Sequence, residues 1–320
     1  MRRFVPALPL LAALAVGPAL TPGARPSVLP EGRRALTAGH RVAAPPADSL
    51  RALITARIAR VAGAEVSVWF EDLARGDTLT IGAGRSFHAA STMKLPVMIE
   101  LFRRVDAGET SLADELYLQN VFESIVDRSR YVLDAGEDSD SALYALVGQN
   151  VRLGELNERM ITRSSNLAAN TLIQFLDPRR VNATARALGA RDIQVLRGVE
   201  DGKAFAQGLN NTTTAQDLGV LLTAIQRNRA ASRASCDSMR RVLLRQEFHD
   251  EIPAGLPAGT SVAHKTGSIT GTLHDAAIVY PPRRGPYVLV VLTRGIPERK
   301  DAQALIADVS RAVYAFATRR

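Results

Sequence analysis

The sequence predicts an α+β protein of three layers (α/β/α), built around one largely antiparallel sheet. Three observations indicate this fold. Strand-like segments occur near the beginning and again near the end of the chain, the stretch between them is mostly helical, and a helical segment lies at each end of the pattern. The simplest arrangement joins the strands into one sheet, packs both terminal helices on it and leaves the middle as an inserted helical lobe. The cleft between lobe and sheet is a natural place for a small ligand.

The first 47 residues precede the predicted fold. Arg2 and Arg3 are followed by the apolar run FVPALPLLAALAVGPAL, which is short for a membrane span and contains prolines. This pattern predicts a signal peptide over residues 1–24, and therefore an exported protein that is periplasmic or secreted. A retained membrane anchor is the alternative, but no stop-transfer pattern follows. Residues 25–47 are rich in Pro, Ala and Arg, which predicts a linker or mature tail before a compact domain over residues 48–320.

The predicted domain begins with a helix and two strands. Apolar residues recur at helical spacing in SLRALITARIARVAG, and the segments AEVSVWFEDL and DTLTIGAG read as strands around a charged turn at residues 74–77. A buried helix is expected to begin at Ser91, and helical stretches continue to about Phe248. Three further strands, SVAHKTGSIT, LHDAAIVYPP and YVLVVLTRGI, precede a last helix, DAQALIADVSRAVYAFAT.

Composition excludes several classes of protein. The net charge of +8 comes from scattered residues, mostly arginine, and aromatic residues make up only 5%, whereas a nucleic-acid surface clusters its cations. The single cysteine, Cys236, excludes an internal disulfide and any multi-cysteine metal site. His264 and His274 flank a late strand, but no further metal-ligand pattern accompanies them. We therefore expect no nucleic acid, no metal and no cofactor, no stable membrane span once the signal is removed, and a monomer.

Three short motifs occur in one order along the chain: Ser91-Thr92-Met93-Lys94, then Ser164-Ser165-Asn166, then Lys265-Thr266-Gly267. Each motif alone is weak, but S-x-x-K, S-D-N and K-T-G in this order are the signature of class A β-lactamases and penicillin-binding proteins. The sequence resembles that superfamily, and most closely the class A β-lactamase-like serine hydrolases. The resemblance covers nearly all of the predicted domain, which is thus expected to be the catalytic domain.

The first motif has the residue types that a covalent acyl transfer needs. A resting serine hydroxyl is a weak nucleophile, so a base must lie within hydrogen-bond reach of Ser91. Residues i and i+3 of a helix share a face, which brings Lys94 towards Ser91. An ammonium group is not a base, so the pKa of Lys94 must fall through burial and through nearby positive charge. The apolar run after Lys94 supplies the burial, and Lys265 is expected to supply the charge.

The resemblance implies roles for the other motif residues. Ser164 would carry the proton to the leaving nitrogen, and Asn166 would hydrogen-bond the substrate amide and Lys94. Lys265 and Thr266 would bind a substrate carboxylate, Gly267 would allow close approach to the strand, and the backbone N–H groups of Ser91 and Ser268 would form the oxyanion hole. Ser165 departs from the family pattern, which has Asp at this place. A cap for the helix that follows is an additional role expected of Ser164.

The loop that is expected to carry the deacylating base differs in sequence from the family pattern. Class A enzymes place a glutamate between the second motif and a T-T-T sequence, which here is Thr212–Thr214. Glu200 is the predicted base, with Asp201 next and Asn210 as a holder of the water. The alternative is that Glu200 only pins the loop. Asp275 stands where many relatives carry a substrate-binding arginine, and Arg294 is a substitute to consider.

The sequence therefore predicts a serine hydrolase that acts through an acyl-enzyme, with a β-lactam or a cell-wall peptide as its small-molecule substrate. Hydrolysis of the β-lactam amide bond is the leading hypothesis. A D-alanyl-D-alanine carboxypeptidase or transpeptidase shares the acylation chemistry and differs in how the acyl-enzyme is discharged. A third hypothesis is an inactive envelope protein that binds peptidoglycan, although the intact Ser91, Lys94 and Lys265 argue against it.

Overall fold

The computed structural model describes residues 47–319, so the predicted signal peptide (residues 1–24) and residues 25–46 of the predicted linker lie outside the described residues. The strands are Glu65–Asp72 (β1), Thr78–Ile81 (β2), Phe87–His88 (β3), Glu115–Tyr117 (β4), Phe122–Glu123 (β5), Arg130–Tyr131 (β6), Asn150–Arg152 (β7), Thr212–Thr213 (β8), Ser261–Ile269 (β9), Thr272–Tyr280 (β10) and Tyr287–Arg294 (β11). The helices are Ala47–Ile58 (α1), Lys94–Asp106 (α2), Leu153–Thr162 (α3), Asn166–Leu176 (α4), Pro178–Ala187 (α5), Gly202–Ala206 (α6), Ala215–Gln226 (α7), Arg233–Leu243 (α8) and Arg299–Ala317 (α9).

The central sheet has five antiparallel strands in the order β2-β1-β11-β10-β9. The first strand of the chain therefore pairs with the last one, and Val68 lies opposite Val291. This arrangement confirms the predicted sheet, in which the early and late strands join and the segment between them forms a separate lobe. The three-layer α+β fold class is also confirmed, because helices cover both faces of the sheet.

Alternation of side chains along the strands explains the two covered faces. In β1, Val66, Val68 and Phe70 point to the face on which α1 and α9 pack, where Leu305 completes the core. Alternate residues of the late strands, such as Val290, point to the opposite face and contact the helical lobe. Burial on both faces also explains why β11 is a nearly continuous apolar run rather than an alternating one.

The helical lobe is organised around α2, which is buried continuously from Lys94 to Phe102. A helix that is buried all round belongs to the interior of a domain. Helix α4 is similarly buried and packs against α2 and α3. The first and second motifs, at the start of α2 and of α4, are therefore held by packed helices, while the third motif lies on β9 at the edge of the sheet.

The structure differs from the predicted elements in two places. The helix expected from Ser91 begins as a 3₁₀ turn over Ala90–Met93, and the α-helix starts only at Lys94. Short strand pairs, β3 with β8, β4 with β7 and β5 with β6, connect the lobe and were not predicted. Two- and three-residue strands are too short to produce a recognisable alternation. Within residues 47–319, no helix is both long and apolar enough to cross a membrane.

Candidate active site

Ser91 and Lys94 lie side by side where the 3₁₀ turn meets α2. The Lys94 amine is 3.1 Å from the Ser91 hydroxyl, and the two residues are three positions apart. In a 3₁₀ turn, side chains at i and i+3 lie directly above one another, so the turn aligns this pair more closely than an α-helix would. Ala90 adopts a positive φ of 45°, a conformation that non-glycine residues rarely take. The strained backbone immediately before Ser91 is therefore a feature of the site.

Lys94 is fully buried, and its amine is surrounded by oxygen atoms. Besides Ser91, it donates to the Ser164 carbonyl at 2.6 Å, to the Asn166 side-chain oxygen at 2.8 Å and to the Ser164 hydroxyl at 3.3 Å. Burial lowers the pKa of Lys94 to about 7, although the negative charges of Asp138 and Glu200 oppose that change. At neutral pH, a substantial fraction of this amine is thus free to accept a proton.

Ser164 lies between the two lysines of the site. Its hydroxyl accepts a hydrogen bond from Lys265 at 3.0 Å and one from Lys94 at 3.3 Å. Its φ of +58° turns the carbonyl and the side chain towards the same amine. The predicted additional role as a helix cap is wrong: Ser165 is the cap of α4, and its hydroxyl accepts from the Ala168 N–H at 3.3 Å.

Lys265 is the second fully buried lysine. Apart from Ser164 it donates to the carbonyl of Thr266 at 2.8 Å. Burial lowers the pKa of Lys265 well below its ordinary value, and the positive charge of Lys94 lowers it further. Because both amines lie against the Ser164 hydroxyl, a proton on one amine disfavours a proton on the other. The charge of Lys94 thus acts on Lys265, and the expected lowering of the Lys94 pKa by Lys265 stays a prediction.

Asn166 connects Lys94 with Glu200. Its side-chain oxygen accepts from Lys94, and its amide nitrogen donates to Glu200 Oε1 at 2.9 Å. Glu200 has a positive φ of 64°, and its carboxylate faces the open cleft. Partial desolvation by the surrounding protein nevertheless raises the pKa of Glu200, against the lowering effect of the Asn166 hydrogen bond. Ser91, Lys94, Asn166 and Glu200 thus form one connected cluster.

The neighbours of Glu200 in its loop have other partners. Asp201 is buried and accepts from the Ser124 hydroxyl, the Ile125 N–H and the Ala204 N–H, so it anchors the loop and caps α6. Asn210 accepts from Arg197, and Lys203 pairs with Asp127. Neither Arg197 nor Lys203 forms an ion pair with Glu200 in the part of the chain that the structure describes. The loop therefore has anchors other than the Glu200 carboxylate, which itself accepts from Asn166.

Gly267 allows β9 to lie directly against the backbone at Ser91. A Cβ atom on Gly267 would lie 3.1 Å from the Ser91 nitrogen and 3.0 Å from the Thr92 nitrogen. That separation is tighter than ordinary carbon–nitrogen contact, so a side chain here would push the strand and the 3₁₀ turn apart. The reason for glycine at this position is thus a contact within the protein, in addition to the expected approach of substrate.

Two open clefts meet at Ser91. The larger has a volume of about 570 Å³ and contains Glu200 together with the exposed side chain of Phe205. The smaller, of about 280 Å³, is lined by Thr266, Gly267 and Arg299. Ser91, Asn166 and Ser268 border both clefts. A substrate bound across Ser91 can therefore extend to either side, towards the loop carboxylate or towards the third motif.

Sequence reasoning missed two charged residues at this site. Asp138 is buried at the start of α4, where its carboxylate accepts from the backbone N–H groups of Asn166 and Leu167 at 2.9 Å each. Arg299, at the start of α9, lines the smaller cleft and is half-exposed. Neither residue lies near a motif in the sequence. The sequence shows only an acidic segment at residues 134–140 and a charged helix start near Arg299, and both features are common in proteins.

The other residues considered from the sequence lie outside the reacting cluster. Asp275 is fully buried and hydrogen-bonds His264 at 3.0 Å. Arg294 pairs with Glu65 and lies over the Phe87 ring, and it lines neither cleft, so it is not placed to replace a substrate-binding arginine there. His274 is buried, and burial lowers its pKa to about 4. Among residues 47–319, no group of three or more His, Cys, Asp or Glu side chains suits a metal ion.

Comparison with known proteins agrees with the resemblance that the three motifs indicate. A family model described as "Beta-lactamase enzyme family" matches residues 46–317. A β-lactamase of Streptomyces fradiae is 29% identical over 311 residues, which cover 90% of this chain and 94% of that relative. A solved β-lactamase of Sphaerobacter thermophilus DSM 20745 is 29% identical with a TM-score of 0.73, over 84% of this chain and 97% of its own. The structure of PBP-A is 27% identical with a TM-score of 0.72, over 83% and 95%.

Proposed function

The chain belongs to the β-lactamase enzyme family, as its three motifs indicate, and on that premise we propose that it hydrolyses the amide bond of β-lactams through an acyl-enzyme on Ser91. One observation carries the proposal. The Lys94 amine is fully buried, lies 3.1 Å from the Ser91 hydroxyl and has a pKa lowered by burial to about 7. A serine beside a free amine is the activated nucleophile that acyl transfer requires.

In the acylation step, Ser91 Oγ attacks the lactam carbonyl carbon and its proton passes to the free amine of Lys94. The C–N bond of the ring then breaks. The leaving nitrogen takes a proton from the Ser164 hydroxyl, and that hydroxyl recovers one from Lys94. The 3.1 Å and 3.3 Å distances from the Lys94 amine to the two hydroxyls support this path. The product is an ester on Ser91, and the N–H groups of Ser91 and Ser268 are the proposed oxyanion hole.

Substrate binding is proposed on the side of the smaller cleft. The carboxylate that β-lactams carry would bind Thr266 and Lys265, with the guanidinium of Arg299 in the same cleft. An anion beside Lys265 favours its protonated form, and a positive charge there disfavours a proton on Lys94. Binding of the substrate would thus prepare the base. Asn166, between the two clefts, is the proposed partner of the substrate amide.

In the deacylation step, Glu200 is the proposed general base. It takes a proton from a water molecule whose oxygen attacks the ester carbon, the bond to Ser91 Oγ breaks, and the proton returns to Ser91. The position of the carboxylate in the larger cleft, which Ser91 also lines, supports this role. Its link to Lys94 through Asn166 also supports it, because the hydrogen bond orients the carboxylate. Asp201 and Asn210 are bound elsewhere, which favours Glu200 over them.

Mass measurement of the protein over time after mixing with penicillin tests the proposal. A transient adduct with turnover of the penicillin is the expected result, and Ser91→Ala should form none. A lasting adduct would contradict β-lactam hydrolysis and support a penicillin-binding peptidase. The similarity to PBP-A, of which a mutant was solved as an acyl-enzyme complex with penicillin-G, makes that the relevant second outcome. No adduct on folded wild-type protein would support a non-catalytic binding protein instead.

Export remains a proposal that rests on the amino-terminal sequence, with its two arginines and apolar run. Fractionation of expressing cells, followed by amino-terminal sequencing of the mature protein, tests it. A mature chain found outside the cytoplasm and beginning near residue 25 is expected. An uncleaved chain in the membrane fraction would support the anchor instead. Size-exclusion chromatography of the same material tests the prediction of a monomer.

A further inference from the structure

Asp138 is a buried carboxylate that reaches the start of α4 from a separate loop. Its Oδ2 atom accepts from the N–H groups of Asn166 and Leu167 at 2.9 Å each, and from the Tyr144 hydroxyl at 3.1 Å. The first N–H groups of a helix have no partner within the helix. Asp138 therefore caps α4 from outside it, and one of the groups that it holds belongs to Asn166, the residue that binds Lys94.

The second motif lacks a carboxylate of its own. Ser165 occupies the place where the family pattern has Asp, and its buried hydroxyl caps only the Ala168 N–H. A carboxylate nevertheless lies at the start of α4. Asp138 is only 5% exposed and accepts hydrogen bonds from two N–H groups of this helix. The carboxylate absent from the motif is thus present in space, on a different part of the chain.

The charge of Asp138 also reaches the Lys94 amine. The ionisable side chains that face this amine are Lys265 on β9, Glu200 in the loop before α6, and Asp138. Burial is the main influence on the pKa of Lys94 and lowers it, and Asp138 is the stronger of the two carboxylates that act in the opposite direction. Without this charge, Lys94 would hold its proton less tightly.

We infer that Asp138 is a positioning residue for Ser91: it replaces the carboxylate missing at Ser165 and fixes Asn166 against Lys94. The inference rests on the proposed function, because it takes Lys94 as the base for Ser91. Two effects follow from one side chain, a hydrogen-bonding effect on α4 and an electrostatic effect on Lys94. The second effect distinguishes positioning from a purely structural role.

A titration of the lysine amines by NMR tests the inference without substrate. The chain has only four lysines, Lys94, Lys203, Lys265 and Lys300, so labelled lysine gives few signals, and Lys94→Arg assigns one of them. In Asp138→Asn, an amide oxygen can still accept from α4 while the charge is lost. The Lys94 titration should move to lower pH by roughly 1 unit, the low end for loss of a neighbouring opposite charge. The acid limb of the acylation rate should move with it.

Asp140 supplies a matched control. It lies on the same loop, is similarly buried and pairs with Arg159 at 3.0 Å, and its charge is not among those that act on Lys94. Asp140→Asn should lower the melting temperature and leave the Lys94 titration in place. Ser165→Asp added to Asp138→Asn restores a carboxylate at the same helix start, so it should return the titration towards about 7, its place in the parent protein.

Each outcome of these experiments either supports the inference or contradicts it. An unchanged Lys94 titration in folded Asp138→Asn, or an equal shift in Asp140→Asn, would overturn the inference. If Asp138→Asn does not fold, the double variant Asp138→Asn, Ser165→Asp still decides, because its carboxylate at the same helix start should keep the Lys94 titration near that of the parent, and a titration well below it would contradict the inference. Failure of the proposed function would instead appear as wild-type protein that titrates as described but forms no penicillin adduct.

Discussion

At the scale of single residues, the chain has few lysines, and two of them lie at the candidate active site. Only four of its 40 basic residues are lysine, and two of those four, Lys94 and Lys265, are fully buried at the site. Arginine does not give up its proton in proteins, whereas a buried lysine does so readily. The two positions where the proposed mechanism needs a changeable charge thus have lysine, and nearly every surface cation is arginine.

Lys94→Arg keeps a positive charge but removes the base. We expect acylation by penicillin to slow by about 10²–10⁴, the usual contribution of a general base. Stopped-flow measurement with a chromogenic β-lactam checks this. Lys203→Arg, at an exposed lysine paired with Asp127, is the matched control and should acylate normally. Acylation of Lys94→Arg at the parent rate would show that another group takes the proton from Ser91.

Glu200→Gln keeps the hydrogen-bonding shape of the loop but loses its basicity. Acylation should remain measurable, and deacylation should slow by about 10²–10⁴, so that the acyl-enzyme accumulates and is seen by mass measurement. Asp201→Asn is the comparison, since its carboxylate anchors the loop and should affect stability and both steps together. Rapid turnover without accumulation in folded Glu200→Gln would remove Glu200 from the mechanism.

At the scale of secondary structure, the most demanding contact is between β9 and the 3₁₀ turn at Ser91. Gly267→Ala places a methyl group about 3 Å from the backbone nitrogens of Ser91 and Thr92. The turn and the strand must then separate by a few tenths of an ångström, and misplacement on this scale is costly for catalysis. We expect kcat/KM to fall by about tenfold or more with only a small change in melting temperature.

Gly84→Ala is the control for that substitution. Gly84 has an ordinary φ, and a Cβ added to it would meet nothing within 4 Å. Its activity should match the parent protein. Gly267→Ala with unchanged kcat/KM would indicate that the strand can move without disturbing the nucleophile, and the proposed tight contact would not matter for the reaction.

The elements that could be predicted from the sequence are those with a strong local pattern. The apolar run after Lys94 and the alternating or continuous apolar strands β1, β10 and β11 indicated helix and sheet correctly. Predicted boundaries were less accurate, as at Ser164 and Ser165, where two adjacent serines both suit a helix cap. Asp138 and Arg299 could not be found, because their place at the cleft depends on how a loop and a distant helix pack against α4 and β9.

At the scale of the whole molecule, charge is buried behind the site as well as in it. Glu251 is fully buried and pairs with Arg299 at 3.3 Å, and one of its oxygens has no hydrogen-bond partner among the described residues. Burial raises the pKa of Glu251 to about 7, and the charge of Asp275 contributes in the same direction. The folded protein therefore binds a proton here that the unfolded chain releases near its ordinary pKa.

This difference predicts how stability depends on pH. Between about pH 4.5 and 7 the folded state holds more protons at Glu251 than the unfolded state does, so this residue makes the free energy of unfolding fall as pH rises. The loss is up to about 3 kcal/mol, from 1.36 kcal/mol per pKa unit. Glu251→Gln should remove this dependence and raise the melting temperature at pH 8 relative to the parent. Glu247→Gln, an exposed glutamate, is the control; equal pH profiles for Glu251→Gln and the parent would contradict the prediction.

The pairing of β1 with β11 has a consequence for the order in which the chain is made. During synthesis, β1 emerges early and β11 emerges almost last. Val68 therefore cannot pair with Val291 until nearly the whole chain has been made. Until then the nascent chain can form the β1–β2 hairpin, but the other edge of β1 has no partner strand, and α9 is not yet there to complete its apolar face. Such a non-local strand pairing makes folding slow. The proposed export would benefit from slow folding, because a chain must stay unfolded to pass through a translocation pore.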